Sequence, residues 1–219
     1  MTTSSELLAL LRSKANPKNV EGMARFGISA KNTLGISVVE LRAIAKKAGR
    51  DHQVAQELWK SGIHEARILA AYVAEPAKVT EKMMDQWVKD FDSWDVCDQV
   101  CANLFDRTPY AYEKAKEWAK DEREFVRRAG FALMAALAWH DKKAQDKDFE
   151  PFFPYMKRYA TDDRNFVKKA VNWALRQTGK RSPGLRKRAI ALAKEIEAMD
   201  SKAARWVAKD ALRELQKAK

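Results

Sequence analysis

Phe125-Val126-Arg127-Arg128 recurs 41 residues on as Phe166-Val167-Lys168-Lys169, and 40 residues after that as Trp206-Val207-Ala208-Lys209. An aromatic ring, a valine and trailing cations at one spacing mark a repeated structural unit, and about 40 residues is the length of two packed helices with their turns. One such pair leaves an apolar face bare, so successive pairs stack and bury it against each other. The fold class that follows is all-α: a curved α-solenoid, or α-α superhelix, whose second helices form one concave surface. The alternative is an ordinary globular helical bundle.

Composition agrees with helices. Among 219 residues there are only 8 Gly and 6 Pro, and good helix formers dominate. Thr3-x-x-Glu6, Ser37-x-x-Glu40 and Asp121-x-x-Glu124 have capping-box spacing, Asn16-Pro17 offers an N-cap followed by proline, and stops fall at Gly49, near 106–109 and at Gly179. With the apolar periodicity these signals predict helices near 4–14, 17–25, 37–48, 52–60, 64–74, 80–91, 93–104, 110–119, 122–140, 148–160, 164–178, 183–198 and 201–216. No segment alternates as a strand would. No linker interrupts the chain, so 1–219 is expected to be a single domain of HEAT-like helical repeats.

The 42 Lys and Arg against 30 Asp and Glu give a formal charge of +12, which suggests a polyanionic partner. Arg127, Arg128, Lys168 and Lys169 sit early in their helices, where the macrodipole disfavours cations. Spaced by one repeat, they would form a ladder suited to phosphates. The alternative is a solvated face neutralised by Asp121, Glu122, Glu124 and Asp162. A second cluster, Lys180-Arg181-Ser182-Pro183-Gly184-Leu185-Arg186-Lys187-Arg188, puts Lys180, Arg181, Arg186 and Arg188 around a helix start and reads as a phosphate clamp. No helix pairs this charge with an exposed apolar face, so nucleic acid is favoured over a membrane.

Two aromatic positions stand out. Trp173 falls off the apolar stripe of its helix, on the edge shared with Lys169 and Arg176, which reads either as a contact surface or as a cap on interhelix packing. In Ser93-Trp94-Asp95-Val96-Cys97-Asp98, the stripe of Trp94, Cys97, Asp98 and Cys101 places Asp98 at the apolar border and points Asp95 elsewhere. A carboxylate beside apolar groups needs a partner, such as Arg128, or a chemical task. One such task is to stabilise an oxocarbenium ion in glycosidic cleavage.

Other chemistries lack their motifs. GxxxxGK[ST], HExxH and GxSxG are absent, and His52, His64 and His140 have no metal spacing, so each reads as a surface or interhelix polar residue. Cys97 and Cys101 read as small buried apolar residues. The amino terminus shows no secretory pattern and the longest apolar run, 129–139, is too short for a bilayer, so a cytoplasmic protein is expected.

Met23-Ala24-Arg25-Phe26, Leu34-Gly35-Ile36, Trp94-Asp95-x-x-Asp98, Arg128-Ala129 and Lys169-Ala170-x-x-Trp173-x-Leu175-Arg176 occur in an order that resembles the AlkD-like, HEAT-repeat DNA alkylation repair family of alkylpurine DNA glycosylases. The resemblance runs from about residue 14 to 178. It implies removal of cationic N3- and N7-alkylpurines from duplex DNA in the bacterial cytosol or nucleoid, without base flipping and without a metal or organic cofactor. By the same resemblance Trp94 and Trp173 are the aromatic pair, Asp98 is the catalytic carboxylate, and Arg128 and Arg176 are phosphate or aspartate partners. Phe26 stands where the family often has Tyr. The expectation is a monomeric DNA glycosylase of base excision repair, a hydrolase acting on N-glycosyl bonds. A non-catalytic nucleic-acid-binding module and a protein-binding scaffold are the alternatives.

Overall fold

A computed structural model describes residues 2–217, and among these the chain is helical without a strand. Among the described residues no helix is long and apolar enough to cross a membrane. The local signals act as chemistry dictates. Thr3 and Glu6 close a capping box on α1 (Ser4–Ser13). Asn16 caps α2 (Pro17–Ala24) with Pro17 at its first position. The Ser37 hydroxyl accepts from the Glu40 amide at the start of α3 (Val38–Ala48), which Gly49 ends at φ 78°.

Several boundaries differ from the sequence expectation. Asp121 does not cap a helix at 122. Its carboxylate accepts from the Arg123 amide and guanidinium, so the turn is held two residues longer and α9 runs Glu124–His140. The segment expected as one helix at 148–160 is broken into α10 (Asp146–Phe149), a 3-10 turn and α11 (Phe153–Tyr159), because Pro151 and Pro154 lack the amides a continuous helix needs. Gly179 is not a stop: α12 runs Asn165–Lys180 through it. A Cβ there would lie 2.8 Å from both Ala189 Cβ and a Leu215 methyl, so this glycine permits close helix packing.

The chain divides into two compact units, Met1–Thr108 and Pro109–Lys219. In the first, α5 (His64–Val73) is the hub, packed against α3, α4 (His52–Lys60) and α7 (Trp94–Asn103). After α6 (Glu81–Trp87), Phe91 and Phe105 close an aromatic core around Trp59 and Trp87, whose rings stack at 3.9 Å. Cys97 and Cys101 form no disulfide and are fully buried, as small apolar residues would be. Burial pushes the Cys101 thiol well above its usual range.

The second unit is the repeat read in the sequence. α8 (Ala111–Trp118) packs on α9, α11 on α12, and α13 (Pro183–Glu197) on α14 (Lys202–Leu215), while α9 lies against α12 and α12 against α14. Residues of the recurring segments therefore meet across successive repeats. The Phe125 and Phe166 rings are 5.6 Å apart, and the Lys168 ammonium sits 5.2 Å from the centre of the Trp206 ring. Every residue of α9 from Arg128 to Ala138 is buried, and each large apolar side chain among them contributes about 1.5–3 kcal/mol.

Candidate functional site

In the first unit an elongated groove of about 520 Å³ is lined by Met23, Phe26, Ile36, Ile68 and Trp94, with His64 and Asp95 in its wall. One side is the stretch 32–37, whose shape is imposed by a carboxylate. Glu65, fully buried on α5, accepts the amides of Leu34 at 2.8 Å, Gly35 at 2.6 Å and Ile36 at 3.2 Å. Gly35 has φ +82°, and a Cβ there would stand 2.3 Å from the Asn16 carbonyl, so no other residue fits. The Leu34-Gly35-Ile36 motif is thus the partner of a buried glutamate that sequence reasoning missed. Its signal was present: Glu65, Ile68 and Leu69 share one helical stripe.

The opposite side is α7. The Trp94 indole N–H donates to the Phe26 carbonyl at 3.0 Å, fixing the ring at the groove. The Phe26 ring itself is 72% exposed. One turn after Trp94, Asp98 is half-buried. Asp95, which the stripe reading pointed elsewhere, is buried against α5: it accepts from Ser93 and pairs with His64 Nε2 at 2.8 Å. α7 is covered on two sides, so the direction away from its main apolar stripe also leads into protein. For His64, burial favours the neutral ring, but the Asp95 hydrogen bond and charge, with Glu65 and Asp92, outweigh it and raise the pKa. For Asp95, burial opposes ionisation and the contacts to His64 and Ser93 overcome it, lowering the pKa.

In the second unit the nominated cations sort into two groups. Arg127 is bound to Asp162 at 2.6 Å and lies over the Tyr159 ring. Asp162 also holds Arg164, and these two guanidinium groups overcome burial to keep its carboxyl below the usual range. This corrects the open-ladder reading at Arg127, because the repeat junction consumes its charge. Arg128 is 6% exposed and donates to the Phe166 carbonyl at 2.6 Å. Arg176 donates to Asn172 at 2.8 Å and pairs with Glu214, to which Lys180 also binds. Burial of Glu214 is outweighed by these two cations, and its pKa is lowered.

The clamp read at 180–188 is likewise corrected at two positions. Arg181 turns inward to the carbonyls of Ala138 and Ala144, over the Phe149 ring. The Ser182 hydroxyl caps α13 and donates to Asp146. Arg188 pairs with Glu150 at 2.6 Å with about half of its side chain open, and Arg186 is half-buried. Lys169 and Lys187 are exposed and form no ion pair among the described residues. Trp173 stays half-buried while Val171, Asn172, Ala174 and Leu175 around it are buried. No cluster of three or more potential metal ligands occurs among the described residues.

The chain is similar in structure to a protein described as one of "a new family of proteins related to the HEAT-like repeat DNA glycosylases with affinity for branched DNA structures", with a TM-score of 0.80 and 18% identity over 97% of this chain and 95% of that one. No curated protein matches the chain. The fold is therefore one of HEAT-like helical repeats. The model for DNA alkylation repair enzymes matches residues 7–215, and the chain belongs to that family.

Proposed function

We propose that the protein is a DNA glycosylase that hydrolyses the N-glycosidic bond of cationic N3- and N7-alkylpurines in duplex DNA, with Asp98 as the catalytic carboxylate and Trp94 and Trp173 as its aromatic partners. The single observation behind this is the arrangement on α7. The Trp94 ring is pinned to the Phe26 carbonyl, Asp98 follows one turn later and is half-buried, and Asp95 beside it is sealed by His64 and Ser93. Of the two carboxylates, Asp95 is committed to His64 and Ser93, and this reading puts the chemistry on Asp98.

An alkylated purine already carries positive charge, so it departs from C1′ with the bonding electron pair as a neutral base and needs no protonation. The barrier is the cationic sugar left behind. A carboxylate near C1′ stabilises that oxocarbenium ion, and aromatic faces favour a cation in the same way. Water then attacks C1′ and gives up its proton, with Asp98 as acceptor, leaving an abasic site. The exposed Lys169, Lys187 and Arg188 serve the phosphates in this proposal, while Arg128, Arg127, Arg176, Lys168, Lys180, Arg181 and Arg186 shape the surface that presents them.

The test is release of N7-methylguanine and N3-methyladenine from duplex DNA by the wild type and by Asp98→Asn. The variant is expected to fold, to bind DNA and to lose at least a hundred-fold in rate, a loss typical of removing one preorganised electrostatic group. Excision retained in Asp98→Asn would overturn the assignment. The solved relative's description by affinity for branched DNA favours a second reading, a DNA-structure binder without excision. In that case no base is released and Asp98→Asn tightens binding slightly, because a charge facing phosphate has been removed.

A further inference from the structure

α9 is sealed on all sides from Arg128 to Ala138, and then ends in a tryptophan that is not: Trp139 is 57% exposed. Its ring stacks on His140 at 4.7 Å with 28° between planes, so one face is backed and the open area belongs to the other face and edge. It borders a polar pocket of about 410 Å³ shared with Gln177, Lys142 and Lys180. Core packing does not require this ring, since the helix is already buried without it.

The charges around it are unevenly committed. Asp141 accepts from the Tyr112 hydroxyl and two backbone amides. Asp146 is held by Ser182, Asp148 by the Gln145 amide and Glu150 by Arg188. Lys142, Lys143 and Lys147 are exposed and make no ion pair among the described residues. The acids are spent inside the fold and the lysines are left for a partner.

We propose that Trp139 is the platform of a second nucleic-acid contact, which stacks an unpaired base on its open face, offers Gln177 to the base edge and Lys142 to the adjoining phosphate. A backed indole, an amide with both donor and acceptor, and an uncommitted ammonium around one pocket match the three parts of a nucleotide, and stacking is indifferent to base identity. The contact takes single-stranded segments, such as those beside a nick, gap or junction. It rests on the reading of the chain as a DNA-binding protein and is independent of the excision chemistry.

The experiment measures fluorescence anisotropy of a labelled oligothymidylate of about twelve residues and of a matched duplex, at one salt concentration, with wild type, Trp139→Ala and Trp139→Phe. Trp139→Ala is expected to weaken the single strand by roughly 5- to 100-fold. Trp139→Phe should keep most of that affinity, and duplex binding and base release should stay as in the wild type. Lys142→Gln should lower the salt slope for the single strand by about 0.7. Equal single-strand affinity in Trp139→Ala and wild type would overturn the proposal. Loss of base release with the Trp139 effect intact would instead overturn only the glycosylase reading.

Discussion

Removing the Glu65 carboxylate should release the wall of the groove. Glu65→Ala takes the acceptor from three amides at once. Those of Gly35 and Ile36 are buried, whereas Leu34 is half-buried, where water can replace the lost bond. Two buried donors left unsatisfied cost about 1–3 kcal/mol each, roughly 2–6 kcal/mol together, and the relief of a buried carboxylate brings the expected total to about 1–5 kcal/mol. Glu65→Gln keeps the shape and one acceptor oxygen, but turns an NH₂ group toward one of the amides. It should cost about 1–3 kcal/mol, or roughly 2–4 °C of melting temperature per kcal/mol. Urea unfolding followed by circular dichroism gives the totals, and amide hydrogen exchange localises them, with Gly35 and Ile36 expected to exchange fastest relative to wild type. An alanine variant within about 0.5 kcal/mol of wild type, the range of a neutral surface change, would refute the claim that this carboxylate shapes the wall.

Three further outcomes test the rest of the structure. The folded pKa of His64 is raised, so its contribution to stability is complete below about pH 6.5 and is lost as pH rises through the folded value; that of Asp95 is lowered, so its contribution is present above about pH 3.9 and is lost as pH falls through its folded value. Unfolding free energy against pH should therefore flatten above neutrality in His64→Gln, and an unchanged profile would remove the pair from the stability account. Gly130→Ala should destabilise by about 3 kcal/mol despite up to about 1 kcal/mol of gained helix propensity, because the new Cβ would meet Ala119 N at 2.4 Å and Ala115 O at 2.8 Å; a neutral thermal shift would contradict the contact of α8 with α9. Arg127→Ala should lose about 3 kcal/mol of stability while leaving the salt slope of DNA binding alone, whereas Lys169→Ala should lower that slope by about 0.9 at constant stability. Titration of affinity against salt for both variants separates a structural cation from a phosphate contact.

The 41- and 40-residue spacings made the second unit legible, because each recurring segment lies against the next: Phe125 meets Phe166, and Lys168, two residues after Phe166, meets Trp206. What the sequence did not reveal was which cations the fold would use. Arg128 and Lys169 occupy the same position of the repeat, yet Arg128 is buried and donates to the Phe166 carbonyl 38 residues away while Lys169 meets solvent. Helical periodicity fixes a direction on one element but not the charge brought opposite it by another. The same blindness hid Asp95, whose partner His64 comes from a different helix, and Glu65, whose partners are backbone amides that carry no sequence signature. Gly179 misled for a related reason, since a glycine that ends a helix and a glycine that admits two neighbouring helices look alike in one dimension.

The resemblance leads one to expect Tyr at position 26, and the structure limits what Phe there can mean. Residue 26 fixes Trp94 through its main-chain carbonyl, not through its ring. That hydrogen bond is indifferent to whether the side chain ends in a hydroxyl. It depends instead on the chain path after α2, where the amides of Phe26 and Ile28 both reach the Met23 carbonyl. The ring is mostly in solvent, so replacing Tyr by Phe there removes one polar contact available to a ligand and leaves the indole where it is. The placement of the α7 groups is therefore independent of that hydroxyl: a chain with Phe at this position still pins Trp94 through the main chain, and Asp98 follows it one turn later on the same helix.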